Sequence, residues 1–283
     1  MTTKYSLVHL TNASCPPPEM VYTAARAGYD CVSFRGIPTR MKQRADNDSV
    51  KESITGKMPF DFAGSRQLIL DTKKASQDTG VILHDSENAR IFDGGDVRYY
   101  EPDLEATAEL GIRHILTNIW SEDKSFYTEQ LEELCDLAKT YGLSVNVEFV
   151  TWAGVRNLKE TSALLRSVNK SNVGIVLDMI HFYRSGVEAK DMDGLPESWF
   201  RYVHLCDCPE EIPGEKDELI RTGLEERLFP GEGAIDIAGI IRRIPQAVRG
   251  LEVPNPVRME QMGFEAYIKA ALRQTKQYLN REM

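Results

Sequence analysis

A short run of strand-forming residues recurs eight times along this chain, and stretches of helical periodicity separate the runs. Strands are expected at Tyr5 to Leu10, Cys31 to Arg35, Val81 to His84, His114 to Ile119, Val145 to Phe149, Val173 to Asp178, Tyr202 to Cys206 and Leu251 to Val253. Helices are expected at Pro18 to Ala27, Phe62 to Gln77, Tyr99 to Leu110, Phe126 to Tyr141, Val155 to Val168 and Ile237 to Arg243. Several helical stretches stop on glycine, as in Ala27-Gly28, Thr79-Gly80, Leu110-Gly111 and Tyr141-Gly142, where the left-handed turn that closes a helix meets no Cβ. Strands alternating with helices build a parallel sheet, because a strand rejoins its neighbour in the same direction only through a long crossover.

Eight such units in 283 residues fit an α/β protein of the (β/α)8 TIM barrel class, for which about 250 residues is typical. A doubly wound open sheet is the alternative, but it carries a glycine-rich phosphate turn after its first strand, and Leu10 to Pro17 contains no glycine. One barrel domain over residues 1–283 is therefore expected, with a polar insert at about 36–60 after strand two. Pro38 to Glu52 within that insert, and the acidic segment Pro209 to Phe229 after strand seven, both follow strands and so belong over the C-terminal rim. The insert reads equally as a lid or as a solvated surface helix.

The chain has no apolar run near the roughly 18 residues a membrane span needs, and Met1-Thr-Thr-Lys4 leads into no signal peptide before prolines arrive at Pro16. Its formal charge of −9 works against a phosphate backbone as partner, since nucleic-acid affinity rests on clustered Lys and Arg. Five cysteines, odd in number and without zinc-site spacing, suit a reducing compartment, so the cytoplasm is expected. Cys206 and Cys208 are read as packed thiols rather than a metal or redox pair. The partner expected is a small molecule, with no nucleic acid and no membrane; a homo-oligomer is open.

Barrels place their chemistry where strands end, because loops converge there on groups that a rigid sheet holds. Val173 to Leu177 is apolar throughout, as a strand buried on both faces must be, and it stops on Asp178 with His181 three positions on. Similar endings place Glu148 after Val145-Asn-Val147, His204 and Asp207 within Tyr202 to Asp207, and Glu252 after Leu251. Each residue alone has an ordinary role: a helix cap or ion pair for an acid, core packing for a histidine. Glu148, Asp178, His204 and Glu252 on four consecutive strands make a metal site the better reading, although spacing alone leaves other assignments open. Three carboxylates and one imidazole suit a hard or borderline divalent ion; Mn2+ is favoured, and Mg2+, Co2+ or Zn2+ can take the same ligands.

In order along the chain, Val147-Glu148-Phe149, Leu177-Asp178-Met-Ile-His181, Val203-His204-Leu-Cys-Asp207, Arg227-Leu-Phe-Pro-Gly-Glu-Gly-Ala-Ile-Asp236 and Leu251-Glu252-Val253 are the most specific segments. They resemble the signature segments of the xylose-isomerase-like sugar phosphate isomerase/epimerase barrels, and the likeness runs from Tyr5 to about Tyr278. The resemblance implies that Glu148, Asp178, His204 and Glu252 hold a divalent metal and that His181 and Arg227 contact the substrate. It implies an isomerase or epimerase of a carbohydrate-derived keto substrate, with Glu148 and Glu252 as the catalytic pair on opposite sides of the metal. A divalent ion on a carbonyl and the adjacent hydroxyl stabilises the enediolate left when the neighbouring C–H is deprotonated. Proton return to the opposite face is epimerisation, and transfer to the next carbon is isomerisation. Loss of a β-hydroxyl is dehydration, so a dehydratase of a cyclic keto acid or keto-inositol is the alternative. His181 would polarise an oxygen, and Arg227 would hold a hydroxyl or carboxylate with its fork of donors.

The chain departs from that pattern at strand two, which ends Cys31-Val-Ser-Phe-Arg35 where many relatives end on a glutamate. Arg35, with Arg40 and Arg44 in the insert, favours an anionic substrate. His84 and Asp85, at the end of strand three, are a further candidate pair in the pocket, with a structural hydrogen bond carrying equal weight. His9 is read with the same reserve, and His114, opening strand four at the barrel's bottom, is expected to take no part. Trp120 and Trp152 either wall the pocket or pack the core. Two rival classes remain. A related apurinic endonuclease needs a histidine-rich multi-metal site and a basic face, which five histidines and a charge of −9 oppose. A non-catalytic sugar-binding barrel would keep the ligands without turnover, and metal-dependent proton exchange at a substrate carbon separates it from an enzyme.

Overall fold

The computed structural model describes residues 3–39 and 60–283. Its strands are β1 (Tyr5–Leu7), β2 (Cys31–Arg35), β3 (Ile82–Glu87), β4 (His114–Thr117), β5 (Ser144–Glu148), β6 (Val173–Asp178), β7 (Phe200–Leu205) and β8 (Val248–Leu251). They pair in chain order, all parallel, and β8 returns to β1 so that the sheet closes. Closure leaves no sheet edge to expose unpaired N–H and C=O groups. The result is the (β/α)8 TIM barrel expected from the alternation.

The helices are α1 (Pro17–Ala27), α2 (Arg66–Thr79), α3 (Glu101–Glu109), α4 (Lys124–Thr140), α5 (Leu158–Val168), α6 (Met179–Arg184), α7 (Lys216–Glu225), α8 (Ile237–Ile241), α9 (Pro256–Met262) and α10 (Phe264–Glu282). Side chains at their N-termini satisfy the orphan N–H groups. Ser65 accepts from Leu68 N, Asp123 from Ser125 N and Phe126 N, and Asn157 from Glu160 N. Gly28 (φ 91) and Gly80 (φ 75) close α1 and α2 in the left-handed conformation. The main core lies between sheet and helices, where Met20, Ile69, Leu104, Leu134, Leu164 and Ile268 pack against the outward faces of the strands. Inside the barrel a small cluster of Leu116, Val176 and Tyr202 fills the lower level.

Three boundaries differ from expectation in ways that matter for the site. The strand expected over Val81 to His84 runs on to Glu87, because the polar Asp85-Ser-Glu is paired to β2 and β4 and buried at the barrel mouth. Pro209 to Phe229 carries α7, whose polar sequence resembles a loop but whose Leu219 and Ile220 pack on Val150, Trp152 and Ala153. The amphipathic α10, absent from the expected set, buries Tyr267, Ile268, Ala271, Leu272, Thr275 and Leu279 at helical spacing. Most of the insert expected at about 36–60, with Arg40 and Arg44, lies outside the described residues. No helix among the described residues is long and apolar enough to cross a membrane.

Candidate metal centre

Four consecutive strands deliver four side chains to one point. Glu148 is the last residue of β5, Asp178 the last of β6, His204 the penultimate residue of β7, and Glu252 the residue just after β8. Each offers one ligand atom within 4.8 Å of the others. All four are buried; Glu148, the most exposed, stands at 9%.

Their surroundings orient them. Asp178 Oδ1 caps α6 by accepting from Ile180 N at 2.9 Å and His181 N at 3.3 Å. Its Oδ2 accepts from Arg227 Nη1 at 2.6 Å, and the same nitrogen donates to Glu252 Oε2 at 2.9 Å. Arg227 is itself fixed, since its Nε donates to Gly223 O at 2.7 Å in α7. Asn118, just past β4, donates from Nδ2 to Glu148 Oε2 at 2.7 Å. His204 Nδ1 stands 3.5 Å from both Glu148 Oε1 and Glu252 Oε2, and neither of its ring nitrogens has a hydrogen-bond partner among the described residues.

The electrostatics follow from three acids sharing a dry site. Burial raises Glu148 above the ordinary carboxylate range. Burial also works to raise Asp178, but the Arg227 guanidinium and His181 hold it below that range. Burial works against a charged His204, yet Glu252 and Glu148 hold its pKa well above the ordinary value. A divalent cation fits this donor set: a buried imidazole that makes no hydrogen bond among the described residues faces three carboxylates, Glu148 steadied through Oε2 by Asn118 and Asp178 and Glu252 steadied by Arg227.

A cavity opens beside this cluster. Glu148, Glu252, His181 and Arg227 line one side, Trp120, Val150 and Trp152 an apolar wall, and Arg35, Glu87, Asn88 and Arg90 the opposite side. His181 Nδ1 accepts from Thr151 N at 3.4 Å, and Trp152 packs edge-on against its ring at 4.7 Å; burial lowers its pKa to about 3. Both tryptophans are therefore pocket walls. Arg35 Nη1 lies 3.7 Å from Glu87 Oε2, and burial drives the Glu87 carboxyl up to about 8 although Arg35 opposes the rise. Arg90 lies over the Trp120 ring at 5.7 Å.

Two of the histidines considered beside the pocket sit elsewhere. His84 is not part of the cavity lining: β3 continues three residues beyond it, so its ring packs lower in the barrel, 5.0 Å from His114 and 5.1 Å from Tyr202. Its Nδ1 is 2.7 Å from Asp85 Oδ1, the structural hydrogen bond. His9 is a strut, with Nε2 donating to Cys15 O at 2.9 Å and Nδ1 accepting from Arg35 N at 3.0 Å. Asp207 is a clasp rather than a ligand: it accepts from the backbone N–H groups of Cys208, Gly231, Gly233 and Ile235 and so folds the Phe-Pro-Gly-Glu-Gly loop onto the rim. Cys206 and Cys208 are free, buried thiols.

The model of the xylose isomerase-like TIM barrel family matches residues 21–277, and the chain belongs to that family. An inosose isomerase of Bacillus licheniformis is 30% identical over 144 residues, which cover 47% of this chain and 50% of that protein. A 3-dehydroshikimate dehydratase of Pseudomonas aeruginosa is 24% identical over 209 residues, 69% of this chain and 32% of that protein. The chain thus spans half or less of the length of these curated relatives. Among solved structures, the IolI protein with a binding zinc atom shares the fold at a TM-score of 0.74 and 18% identity, covering 99% of both chains. The 3-keto-D-glucoside 4-epimerase YcjR of E. coli shares it at 0.65 and 14%, covering 98% of this chain and 100% of that one.

Proposed function

We propose that this protein is a divalent-metal-dependent isomerase or epimerase that removes a proton next to a carbonyl of a sugar- or polyol-derived keto substrate. The observation that carries the reading is the buried His204, whose ring nitrogens make no hydrogen bond among the described residues, set with Glu148, Asp178 and Glu252 so that their ligand atoms lie within 4.8 Å of one another. A divalent ion bound there supplies Lewis acidity, polarising a carbonyl and stabilising the negative charge that develops when the neighbouring C–H is deprotonated. In this reading one of the two carboxylates of Glu148 and Glu252, each 3.5 Å from His204 Nδ1, takes the proton and the other returns it. Asn118 and Arg227 hold those carboxylates in place, while Trp120, Val150 and Trp152 exclude water from one side of the cavity. His181, steadied by Thr151 and Trp152, is placed to polarise a substrate oxygen. The names of the relatives, inosose isomerase and keto-glucoside epimerase, support this class.

A dehydratase is the second reading, favoured by the arginine-bearing wall of the cavity and by the likeness to 3-dehydroshikimate dehydratases. Both readings use the same two glutamates. Glu148→Gln and Glu252→Gln should each cut turnover by about 10²- to 10⁴-fold, with far-UV circular dichroism unchanged; activity retained in both variants would sink the two-glutamate mechanism.

A further inference from the structure

The cavity wall opposite the metal-ligand cluster carries polar atoms without partners. The barrel order sets β2 and β3 across the mouth from β6 and β7, so Arg35 and Glu87 face the cluster from the far side. Arg35 is 6% exposed and Glu87 3%, and both line the cavity. Arg35 Nη2, Glu87 Oε1, Asn88 Oδ1 and Trp120 Nε1 are buried and have no hydrogen-bond partner among the described residues. Buried polar atoms left unpaired each cost about 1–3 kcal/mol, so four around one cavity describe what should fill it.

The four atoms form a pattern of two donors and two acceptors. The guanidinium Nη2 and the indole N–H donate; the Asn88 and Glu87 oxygens accept. Arg35 and Glu87 meet only at 3.7 Å, too far for a hydrogen bond, so among the described residues neither satisfies the other's unpartnered atom. The guanidinium is also held ready, because His9 Nδ1 accepts from the Arg35 backbone N–H and anchors the strand end that carries it. A carboxylate answers the planar guanidinium, and hydroxyl groups answer the two acceptor oxygens.

We infer that the substrate is a hydroxylated keto acid whose carboxylate is held by Arg35, with hydroxyls on Glu87 and Asn88 and its carbonyl end at Glu148, Asp178, His204 and Glu252. This substrate class rests on the metal-centre reading above and narrows it, setting aside neutral keto sugars. Arg35 on β2 lies opposite Asp178 on β6 in the closed barrel, so the carboxylate and the ketone belong at separate ends of the substrate.

A matched pair of ligands tests it. In 5-keto-D-gluconate the carboxylate lies at the far end of the chain from the ketone, and L-sorbose is the same skeleton with –CH2OH in its place. Zn2+ is first titrated calorimetrically into the full chain, and each ligand is then titrated into the loaded protein. The keto acid should bind about tenfold or more tightly than L-sorbose, the ratio a charge-assisted hydrogen bond provides. Arg35→Met should bring the ratio near one with Zn2+ affinity unchanged, and Arg35→Lys, which keeps the charge but not the fork, should retain part of it. Equal affinities, no binding of the keto acid, or a preference that survives Arg35→Met overturns the carboxylate site while leaving the metal centre standing. Failure of the wild-type chain to bind Zn2+ overturns both.

Discussion

His9 shows how a buried side chain can shape the site without touching substrate. Its two ring nitrogens are committed to Cys15 O and Arg35 N, so only the neutral ring with a proton on Nε2 satisfies both. Burial lowers its pKa from 6.5 to about 4, with the Arg35 charge adding to the fall. Between those values the unfolded chain binds the proton and the folded chain does not, so the contribution of His9 to stability is lost as pH falls through this window. Relative to His9→Gln, the wild-type protein should lose about 2 kcal/mol of unfolding free energy between about pH 7 and about pH 5, measured by urea titration. A difference that does not change with pH would mean that His9 titrates in the folded state at its ordinary value. At this scale the sequence was legible where an apolar run stops on an acid or imidazole, as at Asp178, Glu148, His204 and Glu252. It was not legible at Glu87 and Asn88, because polar residues among polar neighbours look like loop until the barrel mouth buries them, nor at Asn118, which lay within the strand expected from His114 to Ile119 with nothing in the sequence to pair it with Glu148.

At the scale of elements, α7 couples the segment after β7 to the site. Leu224 lines the cavity, Gly223 O fixes Arg227, and Arg184 of α6 donates to Leu219 O at 3.0 Å and Thr222 Oγ1 at 2.8 Å. A Cβ on Gly223 would meet the Trp152 ring at 2.8 Å, and that ring packs on His181. Gly223→Ala should gain about 1 kcal/mol of helix propensity against about 1–3 kcal/mol of overpacking, leaving the melting temperature little changed. Displacement of Trp152 and His181 should lower kcat/KM by about tenfold or more. Unaltered kcat/KM would show that the tryptophan yields without disturbing the histidine. The helix escaped sequence reading because Pro213 and Gly214 and a run of charges precede it, and its burial depends on Trp152, which is distant in sequence. Strand ends were legible to within one or two residues where hydrophobic runs bound them, as in β2 and β6; β3 was not, since four of its six residues are polar.

For the molecule as a whole, the closed barrel is what turns separate strand ends into one centre. β5 to β8 bring the Glu148, Asp178, His204 and Glu252 cluster to one half of the mouth, and β2 and β3 bring Arg35 and Glu87 to the other. The eightfold alternation of strand and helix made this architecture readable from the chain alone, whereas the cavity between the two halves exists only once the sheet has closed. The central claim is that the cluster, loaded with a divalent ion, exchanges a proton beside a substrate carbonyl. Its most direct test is one-dimensional NMR in D2O of the full chain against a panel of keto sugars and cyclic keto acids, after chelation and again with Mn2+ or Mg2+ restored, the paramagnetic ion being removed before spectra are recorded. Deuterium entering one carbon only with metal present, without loss of water, is the predicted result, and a new vinyl signal would assign the dehydratase form of the same chemistry. Silence across the panel with metal bound would contradict the account and leave a barrel that binds its ligand without turning it over.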